Sequence, residues 1–214
     1  GEWGMVTEEV IKSGELYDAS DSELYEVQWR YNDLMYEYNH TRPSNRRKQQ
    51  EILKELLGEL GEDCVIEPPL RANWGKNTHI GDHVYVNFNL TLVDDADIYI
   101  GNHVMIGPNV TLATAGHPLE AELRNKGMQF NKPVHIGDGV WLGAGVIVLP
   151  GVTIGENTTI GAGSVVTKDI PEWVVAAGNP CKVIRQITEA DRKFYYRDRE
   201  FDDEAWEHVL KMFP

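Results

Sequence analysis

Cysteine is nearly absent from this chain: Cys64 and Cys181 are the only two in 214 residues. So far apart they form no zinc-ligand pattern, and with no secretory signal they do not read as a disulfide framework. Both are expected as free, buried thiols. No apolar run approaches the roughly 18 residues that a membrane helix needs. The first residues lack the basic segment and apolar stretch of a secretory signal. Met5 reads as the native start, with Gly1–Gly4 as an expression remnant, and the cytoplasm is the expected compartment. Positive charge is also scarce. Twenty Lys and Arg face 34 Asp and Glu, a net charge of −14. Such a chain repels a phosphate backbone, so nucleic acid is not an expected partner. An anionic small molecule would need a local basic cluster set against that background.

What the chain does have is two kinds of periodicity. Residues 5–61 read as a helical segment. Ser20-Asp21-Ser22-Glu23 is a capping box, a hydroxyl followed three residues later by a glutamate. Leu24, Val27, Tyr31, Leu34, Met35 and Tyr38 then fall at helical spacing on one face. Thr41-Arg42-Pro43-Ser44 breaks that helix. A second carries Ile52, Leu53, Leu56, Leu57 and Leu60, and Gly61 is expected to stop it.

From residue 80 the period becomes six. Every sixth residue from 136 is a large aliphatic: Ile136, Leu142, Val148, Ile154, Ile160 and Val166. Ile80-Gly-Asp-His83 and Ile100-Gly-Asn-His103 begin units of the same form. Each hexapeptide makes one short flat side of a coil. Its aliphatic residue points inward, and the glycine that follows is expected where the chain turns. Three sides make a turn, and stacked turns bury a continuous core. The fold class is mainly β: a β-helix over residues 62–185, with an excursion loop at 113–133 and a tail at 186–214. In that tail Thr188 and Asp202 look like helix starts, with Trp206, Val209 and Leu210 on one side of the last helix.

These repeats resemble those of the hexapeptide-repeat acyltransferase family. The resemblance extends beyond the repeats, through Gly14-Glu-Leu-Tyr17, Tyr38-Asn-His40, Ile66-Glu-Pro-Pro69, Asn87-Phe-Asn-Leu90, Val93-Asp-Asp95, Gly116-His-Pro118, Ala176-Ala-Gly178 and Pro180-Cys181. It is most similar to the galactoside and maltose O-acetyltransferase branch, from about residue 10 to about residue 198. The resemblance implies a left-handed parallel β-helix and a homotrimer with sites between subunits. It also implies acetyl-CoA as co-substrate, a sugar as acceptor, and no metal.

Two breaks in the rhythm locate the chemistry. One is Val93-Asp-Asp-Ala-Asp97, and the other is the excursion that opens with Thr114-Ala-Gly-His-Pro118. Long excursions from a regular scaffold are often functional. Imidazole accepts a proton near neutral pH, as acyl transfer to a poorly nucleophilic hydroxyl requires. His117, in the family's Gly-His-Pro motif, is therefore the expected general base. By the same resemblance Asn87 lies near the thioester, as an oxyanion donor and coenzyme contact, and Asp95 holds the sugar. Tyr85 belongs with the substrate residues. Coenzyme A is expected along Trp141, Ala144, Ala162, Thr167, Lys168, Lys182 and Arg185, the bases meeting its phosphates.

Three positions depart from the family's acceptor pocket. A sugar-contacting serine aligns with Asn73, a loop methionine with Gln129, and an N-terminal acid with Ala19, whose neighbour Asp18 is expected to replace it. Acceptor identity therefore stays open between a galactoside- or maltose-like sugar and a lipo-chitooligosaccharide, surface sugar, amino acid or antibiotic. A zinc site of the β-helical carbonic anhydrase kind, on His79, His83 and His103, and a non-catalytic solenoid are the remaining alternatives. His40, His135 and His208 read as structural or exposed.

Overall fold

The computed structural model describes residues 6–20 and 22–212, with only the helical backbone of Ser22 and Glu23. The expected capping box at Ser20–Glu23 and the start at Met5 lie outside the described residues. Helix α1 (Glu8–Lys12) is short and capped by the Thr7 hydroxyl, which accepts from Val10 N–H. Helix α2 (Ser22–Asn39) buries Met35 and Tyr38 and half-buries Leu24, Tyr31 and Leu34. Val27, expected on that face, is instead half-exposed.

Helix α3 (Arg46–Leu56) opens on Asn45, whose side chain accepts from Lys48 N–H, and buries Ile52, Leu53 and Leu56. It ends five residues before Gly61. Leu57 is already extended, and Glu59–Leu60 is the first strand of the coil. Leu60 and Gly61 therefore belong to the coil, which begins before residue 62. The helices cap its end, sharing one core with Ile66 and Leu70.

The coil is a parallel β-helix with three faces. The first face stacks Val65–Ile66, Tyr85–Val86, Met105–Ile106, Trp141–Leu142 and Thr159–Ile160, then Val174–Gly178. Cys181–Gln186 adds to its end in antiparallel sense. The second face stacks Leu70–Ala72, Leu90–Val93, Thr111–Ala113, Ile147–Val148 and Val165–Val166. The third stacks Glu59–Leu60, Thr78–Ile80, Ile98–Ile100, Val134–Ile136 and Thr153–Ile154. Register brings like onto like: Ile80 pairs with Ile100, and Ile100 with Ile136. Nearly every such aliphatic is fully buried, each contributing about 1.5–3 kcal/mol.

The corners show why the second residue of a repeat is glycine, and it is not for the turn. The left-handed backbone falls two residues later, at His83 (φ +56°), His103 (+55°), Asn109 (+61°) and Asn157 (+58°). Gly139 and Gly145 take the same place. The second position is glycine because the neighbouring turn lies against it. A Cβ on Gly101 would sit 2.3 Å from Asp138 Oδ1 and 2.8 Å from its backbone nitrogen. That closeness serves a ladder of bonds. Asp82 Oδ1 accepts from Glu62 N–H, Asn102 Oδ1 from Asp82 N–H, and Asp138 Oδ1 from Asn102 N–H, all at 2.7–2.8 Å.

The excursion is ordered. Ala115–Gly116 and Met128–Asn131 pair antiparallel, with the short helix α4 (Ala121–Asn125) between them. Met128–Asn131 also pairs with Tyr17–Asp18, so the N-terminal segment and the excursion share one small sheet. In the tail Thr188 caps a 3-10 turn at Glu189–Lys193, and an unexpected hairpin follows, Phe194–Tyr196 with Arg199–Glu200. Helix α5 (Asp203–Met212) half-buries Trp206 and Val209 but leaves Leu210 out. Cys64 and Cys181 are buried and unpaired.

Gly101→Ala is expected to destabilise the coil by about 1–3 kcal/mol, because the backbone of Asp138 must give way as well as its carboxylate. Urea unfolding would show a lowered midpoint; an unchanged one would mean that the stacked turn has slack.

Candidate active site

Both breaks in the rhythm lie at one corner, where the second face passes to the third. At the first, Asp94 is fully buried. Its carboxyl accepts from Trp74 N–H at 2.8 Å and from the Thr78 hydroxyl at 3.1 Å, and its carbonyl accepts from Asn77 Nδ2 at 2.8 Å. Burial pushes the Asp94 carboxyl up to about 6 against those stabilising bonds. The residue pins the corner from inside.

Asp95 points the other way. Its Oδ2 accepts from Asn73 Nδ2 at 3.0 Å, and its Oδ1 from the Trp74 indole at 3.3 Å. Gln28 of α2 donates to the Asn73 carbonyl at 2.8 Å, tying the helix to this corner. Trp74 and Gln28 were not singled out from the sequence. The signal for Trp74 was an aromatic beside Asn73, and for Gln28 there was none.

At the second break, His117 Nδ1 lies 2.9 Å from the Met128 carbonyl oxygen. A carbonyl only accepts, so Nδ1 carries a proton, and Nε2 is the nitrogen left bare whenever the ring is neutral. Gly116 beside it permits close packing of the Phe130 ring, which a Cβ would meet at 2.5 Å. A pocket of about 320 Å³ brings together Asn73, Trp74, Asp95, His117, Gln129 and Tyr17. Ala19 lines it too, but Asp18 does not. The Asp18 carboxyl accepts from the Ser20 N–H and hydroxyl, which hold it below the usual carboxylate range. The expectation that Asp18 stands in for the missing acid is thus corrected: the strand alternation that puts Ala19 on the wall turns Asp18 away.

A second groove, of about 520 Å³, runs along the corner between the first and second faces. It gathers Asn87, Trp141, Ala144 and Ala162, and its floor includes Gly107, Gly143 and Gly161. Tyr85, expected with the sugar residues, lies in this groove beside Asn87, because it alternates outward on the first face. Asn87 Oδ1 accepts from Phe88 N–H at 2.8 Å, which leaves its Nδ2 as the outward donor. Small residues let an extended chain lie against the backbone, and the half-exposed Trp141 and Met105 offer it apolar cover. These features fit the pantetheine arm of coenzyme A.

Thr167, Lys168, Lys182 and Arg185 are exposed and lie outside that lining. Lys168 and Lys182 make no ion pair among the described residues. Arg185 is clasped by Asp191 in a two-pronged pair at 2.8 and 2.9 Å, which raises its pKa further. It therefore comes to an anion already partnered. His79 lies on the third face, with Nε2 2.9 Å from Asp97 and its ring stacked on Tyr99. His83 and His103 stack on each other at the next corner and do not converge with it. No group of three or more metal-ligating side chains occurs among the described residues.

Known proteins match this architecture. Residues 11–61 fit the profile described as the maltose acetyltransferase hexapeptide capping motif, and residues 133–168 that of the bacterial transferase hexapeptide, six repeats. Galactoside O-acetyltransferase of Lactococcus lactis is 52% identical over 90% of this chain and 93% of its own length. The Escherichia coli K12 enzyme of the same name is 48% identical over 91% of this chain and 96% of its own. This chain belongs to the hexapeptide-repeat acetyltransferases. A solved galactoside acetyltransferase in complex with coenzyme A superposes with a TM-score of 0.90 at 46% identity, covering 94% of this chain and 100% of that one.

The buried Asp94 makes a signed prediction about pH. Its folded pKa, about 6, lies above its unfolded value near 3.8. Its favourable contribution is complete below pH ~4 and is lost as pH rises through ~6, a penalty of about 3 kcal/mol. Asp94→Asn keeps an acceptor for Trp74 and removes the charge. Thermal melts from pH 4 to 7 should show wild type falling relative to the variant; parallel curves would mean that Asp94 is charged without cost.

Proposed function

We propose that the chain is an acetyl-CoA-dependent O-acetyltransferase acting on a hydroxyl of a galactoside- or maltose-like sugar, with His117 as general base. What carries this reading is the bare Nε2 of His117, fixed by the Met128 carbonyl, in a pocket that also holds Asp95. The Asp95 carboxylate keeps acceptor capacity for sugar hydroxyls beyond its bonds to Asn73 and Trp74. The relatives named for galactoside acetylation, one of them solved with coenzyme A, support the donor and the acceptor class. Two unpaired thiols suit a reducing cytoplasm.

Acetyl-CoA, when bound, supplies an activated acyl carbon. His117 Nε2 takes the proton of a sugar hydroxyl as that oxygen attacks the carbon. The C–O bond forms and the C–S bond breaks, and His117 returns the proton to the departing thiolate. Asn87 Nδ2, free to donate, faces the oxygen on which charge develops, a contribution of about 3–4 kcal/mol in comparable sites.

His117 and Asn87 stand at different corners of the coil. One face of some five extended residues, at about 3.3 Å each, separates them, far beyond a shared reacting atom. We therefore infer that the site is shared between subunits, the His117 pocket of one closing over the Asn87 groove of the next in the homotrimer that the family resemblance implies.

His117→Ala should lower turnover roughly 10²–10⁴-fold with acetyl-CoA binding and folding intact. A folded variant with wild-type turnover would remove His117 from the chemistry. Mixing is the sharper test of shared sites. His117→Ala and Asn87→Ala subunits, each nearly inactive alone, should recover activity at about a quarter of sites after co-assembly. No recovery would place both residues in one subunit's site.

A further inference from the structure

Where the excursion meets the N-terminal strand, hydrogen-bond accounting leaves one proton unplaced. Asn131 is fully buried, and its Nδ2 donates to the Ile11 carbonyl at 3.0 Å and to the Tyr17 hydroxyl at 2.7 Å. The Ile11 carbonyl fixes that orientation, because the opposite amide face would set oxygen against oxygen. Asn131 Oδ1 must then accept, and it does, from Gln129 Nε2 at 2.9 Å. The second Gln129 N–H goes to the same Tyr17 hydroxyl, also at 2.9 Å.

The phenol oxygen of Tyr17 thus receives two N–H bonds, and its own proton meets no acceptor within bonding distance among the described residues. Yet Tyr17 is only 3% exposed and lines the pocket that holds His117 and Asp95. Burial, with Asp95 adding to it, pushes the phenol up to about 12, so it keeps its proton; its oxygen is already taken by the two N–H bonds, and what remains to offer is that O–H. Gln129 also lines the pocket. With its Nε2 spent twice, its Oε1 has no donor among the described residues. The wall therefore offers an O–H donor and a carbonyl acceptor side by side. A hydroxyl both gives and takes a bond, so one hydroxyl satisfies the pair, whereas an ether, a carboxylate or an ammonium satisfies half of it.

We infer that Tyr17 and Gln129 form an acceptor-specificity element that grips one hydroxyl of the sugar, distinct from the hydroxyl held by Asp95 and from the one that reacts. This rests on the sugar-acetylating reading above. It narrows the acceptor to a polyol with at least three hydroxyls in reach. A site built to bond a hydroxyl rejects the analogue that lacks it, because its own buried groups are left unpaired.

The test is kinetic, on the full chain, with acetyl-CoA and methyl β-galactoside, its set of monodeoxy analogues, and maltose. With the preferred parent sugar, Tyr17→Phe should raise the acceptor KM about 5- to 30-fold, the size of one lost bond to a buried group. The KM for acetyl-CoA should stay within twofold. One deoxy analogue should lose a similar factor with wild type and lose nothing more with Tyr17→Phe, while the others still show the Tyr17 effect. Equal losses on every analogue would mark Tyr17 as merely structural and overturn the inference. Wild type alone also decides it: if no non-reacting deoxy position costs more than twofold, the pair grips no hydroxyl, whatever the variant's folding. If wild type acetylates none of these sugars, the sugar reading itself fails, a different outcome from its acetylating all of them indifferently.

Discussion

The stacking distance between turns governs everything else in this molecule. Rings mounted on successive turns record it: His79, Tyr99 and His135 lie 4.8 Å apart, centroid to centroid, the spacing of paired strands. At that distance an aliphatic from each turn lands on its counterpart and water is excluded along the axis. The same distance leaves no room for a Cβ at Gly81 or Gly101, where a side-chain oxygen of the next turn must reach a backbone N–H. Core and corners are two consequences of one constraint.

That constraint also decides where irregular chain is tolerated. Extra residues inside a face would shift every inward aliphatic outward. They can leave only at a corner and must return in register. The excursion leaves after Ala113 and resumes at Val134, which pairs with Ile98 as though nothing had intervened. The coil thus carries a long excursion without loss of core. The excursion gains its own order from the strand Tyr17–Asp18 and from the buried cluster of Tyr17, Gln129 and Asn131. Strand pairing on both sides holds its two ends, and the Met128 carbonyl there orients the His117 ring.

Much of this was legible in the residues. The six-residue column of aliphatics gave the coil, and the failure of that rhythm gave the location of His117. Less legible were the boundaries and the roles of small residues. Leu60 and Gly61 read as a helix end because Ile52, Leu53 and Leu56 carry a helical rhythm up to the point where the coil takes over. Glycine at the second position read as a turn residue, while the turning falls to His83, His103 and their equivalents. Asp94 and Asp95 are adjacent and chemically identical, and their opposite fates follow from strand alternation at a corner whose position the sequence marked only loosely.

The sequence by itself determined the repeat, the existence and place of the excursion, and the residue types from which an acyl-transfer site is made. These depend on local spacing, which a linear reading captures. Only the tertiary structure decided which atoms are free to act. Tyr17 and Gln129 are 112 residues apart, and His117 Nε2, Asn87 Nδ2 and the Tyr17 proton are available because other partners have claimed the remaining groups. Hydrogen-bond capacity is finite and is shared out among groups that meet only on folding.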